Sequence, residues 1–84
     1  MDQTWKKNAL KTIEGVFRRQ FLDDRLTVSE TTSPTDIEEW DSLAHVNLLA
    51  SVENEFGIRF TADDLASIAT VGTMLRVLSK RRAA

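Results

Sequence analysis

The stretch DSLAHVNLLASVENEFG, residues 41–57, decides the fold. It reads as one helix, over about residues 42–56, with both ends marked. Asp41 and Ser42 are both N-cap residue types, because a short side-chain oxygen can accept one of the free N–H groups of a first helical turn. Leu43, Val46, Leu49, Val52 and Phe56, broadened by Leu48, recur at three- and four-residue steps and are expected to form its apolar face. Gly57 stands where a left-handed residue is wanted to end the helix.

Outward from this helix the pattern changes on both sides. Upstream, from about Asp23 to Asp41, periodicity dissolves into turn residues: Thr27, Ser29, Thr31, Thr32, Ser33, Pro34, Thr35 and Asp36. Pro34 disfavours helix at Ser33. Leu22, Leu26, Val28 and Ile37 are expected to pin this long loop to the rest. A loop of this length in so small a chain is often functional. It also lets two helices run in one direction, as in crossover bundles. Before it, Ala9, Ile13, Val16, Phe17 and Phe21 mark a first helix over about residues 4–21. Leu10 widens its stripe, Gly15 is a mild cost within it, and Trp5 covers the core end.

Downstream, Ile58 and Phe60 lie in a short extended link. Thr61 with Asp64 three residues on has capping-box spacing, giving a short third helix over about residues 62–68. Thr70 can cap a last helix over about residues 71–81, with Val71, Met74, Leu75 and Leu78 inward. Lys80, Arg81 and Arg82 suit the negative end of its dipole. The expected fold is all-α: a four-helix bundle of three main helices and a short third one, with a long loop between helices one and two. At 84 residues it makes one domain, 1–84, around one core.

Composition narrows the function. There are no cysteines, hence no disulfides and no thiolate metal sites, and one histidine removes most zinc and iron sites. No metal site is expected. Nothing resembles a signal peptide and no apolar run reaches membrane length, so a soluble, cytoplasmic monomer without membrane contact is expected. Residues 36–64 hold eight acids against Arg59 alone, a local balance of −7. That balance repels phosphate backbones, attracts basic partners, and opposes a nucleic-acid reading based on Lys80, Arg81 and Arg82.

No phosphate loop, no histidine pair at metal spacing and no glycine-flanked serine is present. Ser42 and His45 are three apart and can share a helix face. A catalytic pair also needs an orienting group, an oxyanion hole and a cleft, which a chain of short helices does not supply. His45 therefore reads as a partly exposed residue beside the site, and the chain does not read as an enzyme. At a helix start, the hydroxyl of Ser42 faces solvent near free N–H groups and the positive dipole end, which favour a phosphate ester on that oxygen. Helix-end physics leaves two roles open for Ser42, cap or modification site.

Asp41-Ser42-Leu43, the run ending Glu53-Asn54-Glu55-Phe56-Gly57-Ile58, then Phe60 to Leu65 and Ile68 to Val71, resembles the acyl and peptidyl carrier protein family over nearly the whole chain. The resemblance implies a carrier rather than a catalyst. Ser42 would bear a covalent 4'-phosphopantetheine arm, taken from coenzyme A by a phosphopantetheinyl transferase, and the arm's thiol would hold an acyl or aminoacyl thioester. An acyl- or aminoacyl-loading enzyme and a downstream synthase or transferase are the implied partners. Asp41 is the matched acid, and Leu43 either contacts the transferase or packs inward. Val46, Glu53, Asp63 and Asp64 are further candidates for a recognition surface. Where fatty-acid carriers have acids shortly after the serine, this chain has Ala44, His45 and Asn47. Its wording is more similar to free-standing carriers of secondary metabolism, of polyketide, nonribosomal peptide or related type, or of amino-acid and glyceryl-type loading. The reading from another class is an unmodified acidic helical interaction domain in which Ser42 is only a cap.

Overall fold

Each helix is started by a side chain at its own N-terminus. The computed structural model describes residues 2–82. The side chain of Arg82, and Met1, Ala83 and Ala84 of the 1–84 reading, lie outside the description. Four helices follow in order: α1 (Gln3–Gln20), α2 (Ser42–Phe56), α3 (Ala62–Ser67) and α4 (Val71–Arg82). Among the described residues there is no strand, so the fold is all-helical with a long loop between α1 and α2.

Asp2 caps α1, its Oδ1 accepting from the Thr4 N–H at 2.8 Å, so the helix starts at Gln3, one residue before the expected residue 4. The choice left open at the head of α2 falls to Asp41, whose Oδ1 accepts from the Ala44 N–H at 2.8 Å. Gly57 ends α2 at φ 64° in the left-handed region. Thr61 and Asp64 form a full capping box on α3. On α4, Thr70 Oγ1 accepts from the Thr73 N–H at 3.2 Å, and Thr73 Oγ1 accepts in return from the Thr70 N–H at 2.9 Å.

The core is one cluster. Ile13, Val16 and Phe17 of α1 meet Leu48, Leu49 and Val52 of α2 and Val71, Met74, Leu75 and Leu78 of α4. Two expectations about facing fail. Leu43 and Val46 stand 71% and 64% exposed, outside the apolar face assigned to them. The cause is helical geometry: a row taken at three-residue steps drifts about 60° per step, so Leu43 and Val52 cannot share a face. The buried strip is Leu48, Leu49 and Val52, with Phe56 half-buried below it.

The long loop is fastened rather than draped. Val28 and Ile37 are buried and Leu26 half-buried, as anchors should be, but Leu22 is 92% exposed and anchors nothing. Leu22 occupies the left-handed position that ends α1, at φ 52°, so its side chain leaves the bundle. Further on, the loop closes the N-terminus of α4. Val71 N–H donates to Thr32 O at 3.0 Å and Gly72 N–H to Glu30 O at 2.8 Å, satisfying two donors that the helix itself cannot. Trp40, buried at the loop's end, sets its ring edge-on to Phe17 at 5.1 Å.

Candidate functional site

The site begins from the fact that Asp41, not Ser42, caps α2. Ser42 is the first helical residue and its side chain is exposed. With the Ala44 N–H taken by Asp41, the N–H groups of Ser42 and Leu43 have no protein acceptor among the described residues. An exposed hydroxyl beside two uncommitted donors and the positive end of a 15-residue helix is suited to a phosphate ester. That arrangement fits a phosphate-linked group on Ser42 Oγ.

Beside Ser42 runs an open groove of about 680 Å³. Pro34 of the loop, Trp40, His45, Val46 and Ile68 form its walls, so it is largely apolar. Further along α2, a more enclosed hollow of about 150 Å³ lies among His45, Val46, Leu49, Ala50, Glu53 and Leu65. His45 and Val46 belong to both. A third groove of about 300 Å³ opens on the other flank of Ser42, between Leu22 at the end of α1 and Leu43 on α2.

Trp40 is the residue that sequence reasoning missed. Its Nε1–H donates to His45 Nδ1 at 3.0 Å, and the two rings stack with centroids 5.8 Å apart. A histidine that accepts on Nδ1 carries its proton on Nε2 in the neutral form. His45 thus lacks the carboxylate partner on Nδ1 that orients a catalytic histidine, and the Asp41 carboxylate is occupied at Ala44. No Ser–His pair is assembled. The signal was present in the Trp40 to His45 spacing, since the residue before a helix N-cap folds back over the first turn.

The candidate recognition residues divide by environment. Leu43 and Val46 point outward, which removes the inward alternative for Leu43, and Asp63 is exposed on the first turn of α3. Leu65, 43% exposed, adds to this apolar surface without having been anticipated. Glu53 and Asp64 are engaged inside the fold. Glu53 Oε2 accepts from the Phe60 N–H at 2.6 Å, holding the link after α2. Asp64, only 6% exposed, takes two hydrogen bonds from Arg81, at 2.7 and 2.8 Å, and closes the capping box with Thr61. The Arg81 hydrogen bonds, then that of the Thr61 N–H, hold the Asp64 carboxyl well below the usual carboxylate range, and the Arg81 guanidinium is raised in return.

Comparison with known proteins places this geometry. Residues 23–78 match the family model described as a phosphopantetheine attachment site. The fold is similar to the solution NMR structure of a holo acyl carrier protein from Geobacter metallireducens. Identity is 35%, the match covers 89% of this chain and 86% of that one, and the TM-score is 0.82. No curated protein matches the chain.

Proposed function

The chain belongs to the phosphopantetheine-bearing acyl carrier protein family, and from that premise we propose that Ser42 Oγ is the atom to which its arm is joined. As a member of the family it is a carrier, not a catalyst, and its cofactor is a covalently attached 4'-phosphopantetheine. The arm supplies a thiol on which an acyl group is held as a thioester. This chain's own residues supply the attachment oxygen, the donors around it and the surfaces that partner enzymes read.

One observation carries the assignment to Ser42: the cap of α2 is Asp41, so Ser42 stands at the helix start with a free hydroxyl and no structural duty. Asp41, Leu43, Val46 and Asp63 are read as the accessible part of the recognition surface. Glu53 and Asp64 support it from within by holding the α2–α3 link and the α3–α4 contact. Residues 1–84 act as one carrier domain, modified by a phosphopantetheinyl transferase and served by a loading enzyme and a downstream synthase or transferase.

The pathway reading is secondary metabolism, of polyketide, nonribosomal peptide or related type. Support comes from early α2, where Ala44, His45 and Asn47 leave the first turns without acids, while Glu38, Glu39 and Asp41 precede the serine. A cytoplasmic monomer is the matching form; among the described residues no helix is long and apolar enough to cross a membrane.

The test is direct. The purified chain is incubated with coenzyme A, Mg²⁺ and a broad-specificity phosphopantetheinyl transferase, and its intact mass is recorded. A gain of one phosphopantetheine, absent in Ser42→Ala, is the expected result. A chain that stays unmodified where a control carrier is converted, or a Ser42→Ala variant that is still modified, refutes the assignment.

A further inference from the structure

Trp40 carries a buried donor whose acceptor can stop accepting. Its ring is set edge-on to Phe17 at 5.1 Å, and its backbone N–H donates to Ile37 O at 3.1 Å. The indole Nε1–H can only donate, and it does so to His45 Nδ1 at 3.0 Å. His45 is half-buried and stacks on the Trp40 ring with centroids 5.8 Å apart. The stacked pair is part of the wall of the groove beside Ser42, and His45 goes on to line the smaller hollow along α2.

A neutral imidazole keeps Nδ1 as an acceptor by holding its proton on Nε2, whereas an imidazolium carries N–H at both nitrogens. Protonated His45 would face the indole N–H against N–H at the present 3.0 Å. The indole cannot reverse its role, and a buried donor without an acceptor is costly. A cation on the indole face is favourable, but that gain does not relieve the opposed N–H groups, so the rings have to part. Trp40 is fixed by Phe17 and Ile37, and His45 borders the open groove, so His45 is the ring that moves. The charges around it are mostly acidic. On α2, Asp41 and Glu53 line the two cavities, bound to the Ala44 and Phe60 N–H groups. From the loop come Asp36, turned to the Ser33 N–H, and the exposed Glu38 and Glu39. From α3 come the exposed Asp63 and Asp64, the latter paired with Arg81 inside the fold, and Arg59 is the single base of residues 36–64.

We propose that Trp40 and His45 form a proton-operated latch on the groove beside Ser42. It is closed with His45 neutral and open with His45 protonated, and it keeps the arm against the groove only while closed. This rests on Ser42 being the residue that bears the arm. Closed, the wall of Trp40, Pro34 and Ile68 is apolar and has its one buried indole N–H satisfied. The segment of the arm next to its phosphate carries two methyl groups on one carbon, which such a wall shelters from water. Open, the same wall presents an imidazolium and a bare indole N–H, both of which call for water. The proton therefore sets how freely the arm leaves the carrier, without touching Ser42 itself.

NMR of the labelled full chain tests this between about pH 8 and pH 5, the range in which imidazoles titrate. Wild type and His45→Gln are each compared unmodified and after modification with coenzyme A, Mg²⁺ and a broad-specificity transferase, the arm being located at Ser42 by mass. Glutamine is a good helix former and does not titrate, so His45→Gln keeps the fold while removing the switch. In unmodified wild type, the Trp40 Nε1–H resonance is expected to move with acid and its exchange with water to rise about three- to tenfold, the loss of one hydrogen bond. In His45→Gln it stays in place. In modified wild type, cross-relaxation between the arm's paired methyl groups and Ile68 is expected at pH 8 and absent at pH 5, and it persists at both in His45→Gln. A Trp40 signal that ignores pH, or moves equally in His45→Gln, overturns the latch. Arm contacts unchanged by acid while the Trp40 signal moves overturn its hold on the arm and leave the attachment residue standing. An arm gained elsewhere than Ser42, or not gained, overturns the attachment reading and the hold on the arm with it, a failure that the unmodified chain's Trp40 signal tells apart from a failed latch.

Discussion

Gly72→Ala tests how the long loop is held, and the structure sets both the sign and the size of the effect. Gly72 lies in the first turn of α4, where helix propensity alone favours alanine by up to about 1 kcal/mol. A Cβ on Gly72, however, meets the Glu30 carbonyl oxygen at 2.8 Å, with Thr70 Oγ1 at 3.5 Å on another side. The carbonyl would have to retreat by about half an ångström to reach ordinary contact. It is the acceptor of the Gly72 N–H, and its residue is also tied by its side chain to Lys6, so retreat breaks a hydrogen bond and pulls on α1. Overpacking costs about 1–3 kcal/mol and the lost bond about 0.5–1.5 kcal/mol, against the propensity gain. The net is a loss of about 1–3 kcal/mol, or a Tm lower by roughly 5–20 °C in a domain of this size. Gly15→Ala is the paired control. Its Cβ meets only Arg19 Nη1 at 3.9 Å, so the same substitution should stabilise by up to about 1 kcal/mol. Urea unfolding and calorimetry measure both, and slow amide exchange at Val71 and Gly72, lost in Gly72→Ala, reports the contact itself. If Gly72→Ala melts at or above wild type, the loop does not close α4 through Glu30.

Two further outcomes follow from the caps and the buried carboxylate. Asp41→Ala removes the acceptor of the Ala44 N–H and should cost about 1 kcal/mol, whereas Ser42→Ala should leave stability within about 0.5 kcal/mol; denaturant midpoints of the two variants decide which residue is the cap. Asp64 has a folded pKa depressed below its unfolded value near 3.8, so its contribution is complete above that pH and is lost as pH falls toward the lower folded value. The stability gap between wild type and Asp64→Asn, followed by urea melts from pH 7 to 2, should be constant above about pH 5 and narrow below pH 4. A gap that does not narrow in acid shows that the Arg81 pairing does not set the Asp64 titration.

The helices were legible because their signals are local. Asp2, Asp41, Thr61 and Thr70 act on N–H groups within three residues of themselves, and Gly57 needs only its own φ to end α2. Ser42 was legible in the same way, as a hydroxyl at a helix start inside a family-like frame. The facing of α2 was not, because its apolar residues outnumber the positions one face can bury. Which of them turn inward depends on where α1 and α4 lie. The acids divide for a related reason. The spacing to Thr61 already sets Asp64 apart from Asp63, but the pairing with Arg81, 17 residues away, that holds Asp64 inside the fold exists only once the chain has folded.

Ser42 shows the division most clearly. The chain by itself determined four helices, their ends, and a serine that is either the cap or the modification site of the second. Whether Ser42 is the cap turned on whether the oxygen at Ala44 N–H came from Asp41 or from Ser42, and the folded geometry places Asp41 Oδ1 there. The loop, the groove it walls beside Ser42, and the exposure of Leu22 and Leu43 were likewise decided only in three dimensions. Caps and turns are settled by atoms a few bonds apart, whereas facing, burial and pairing are settled by residues that meet only after the chain has folded.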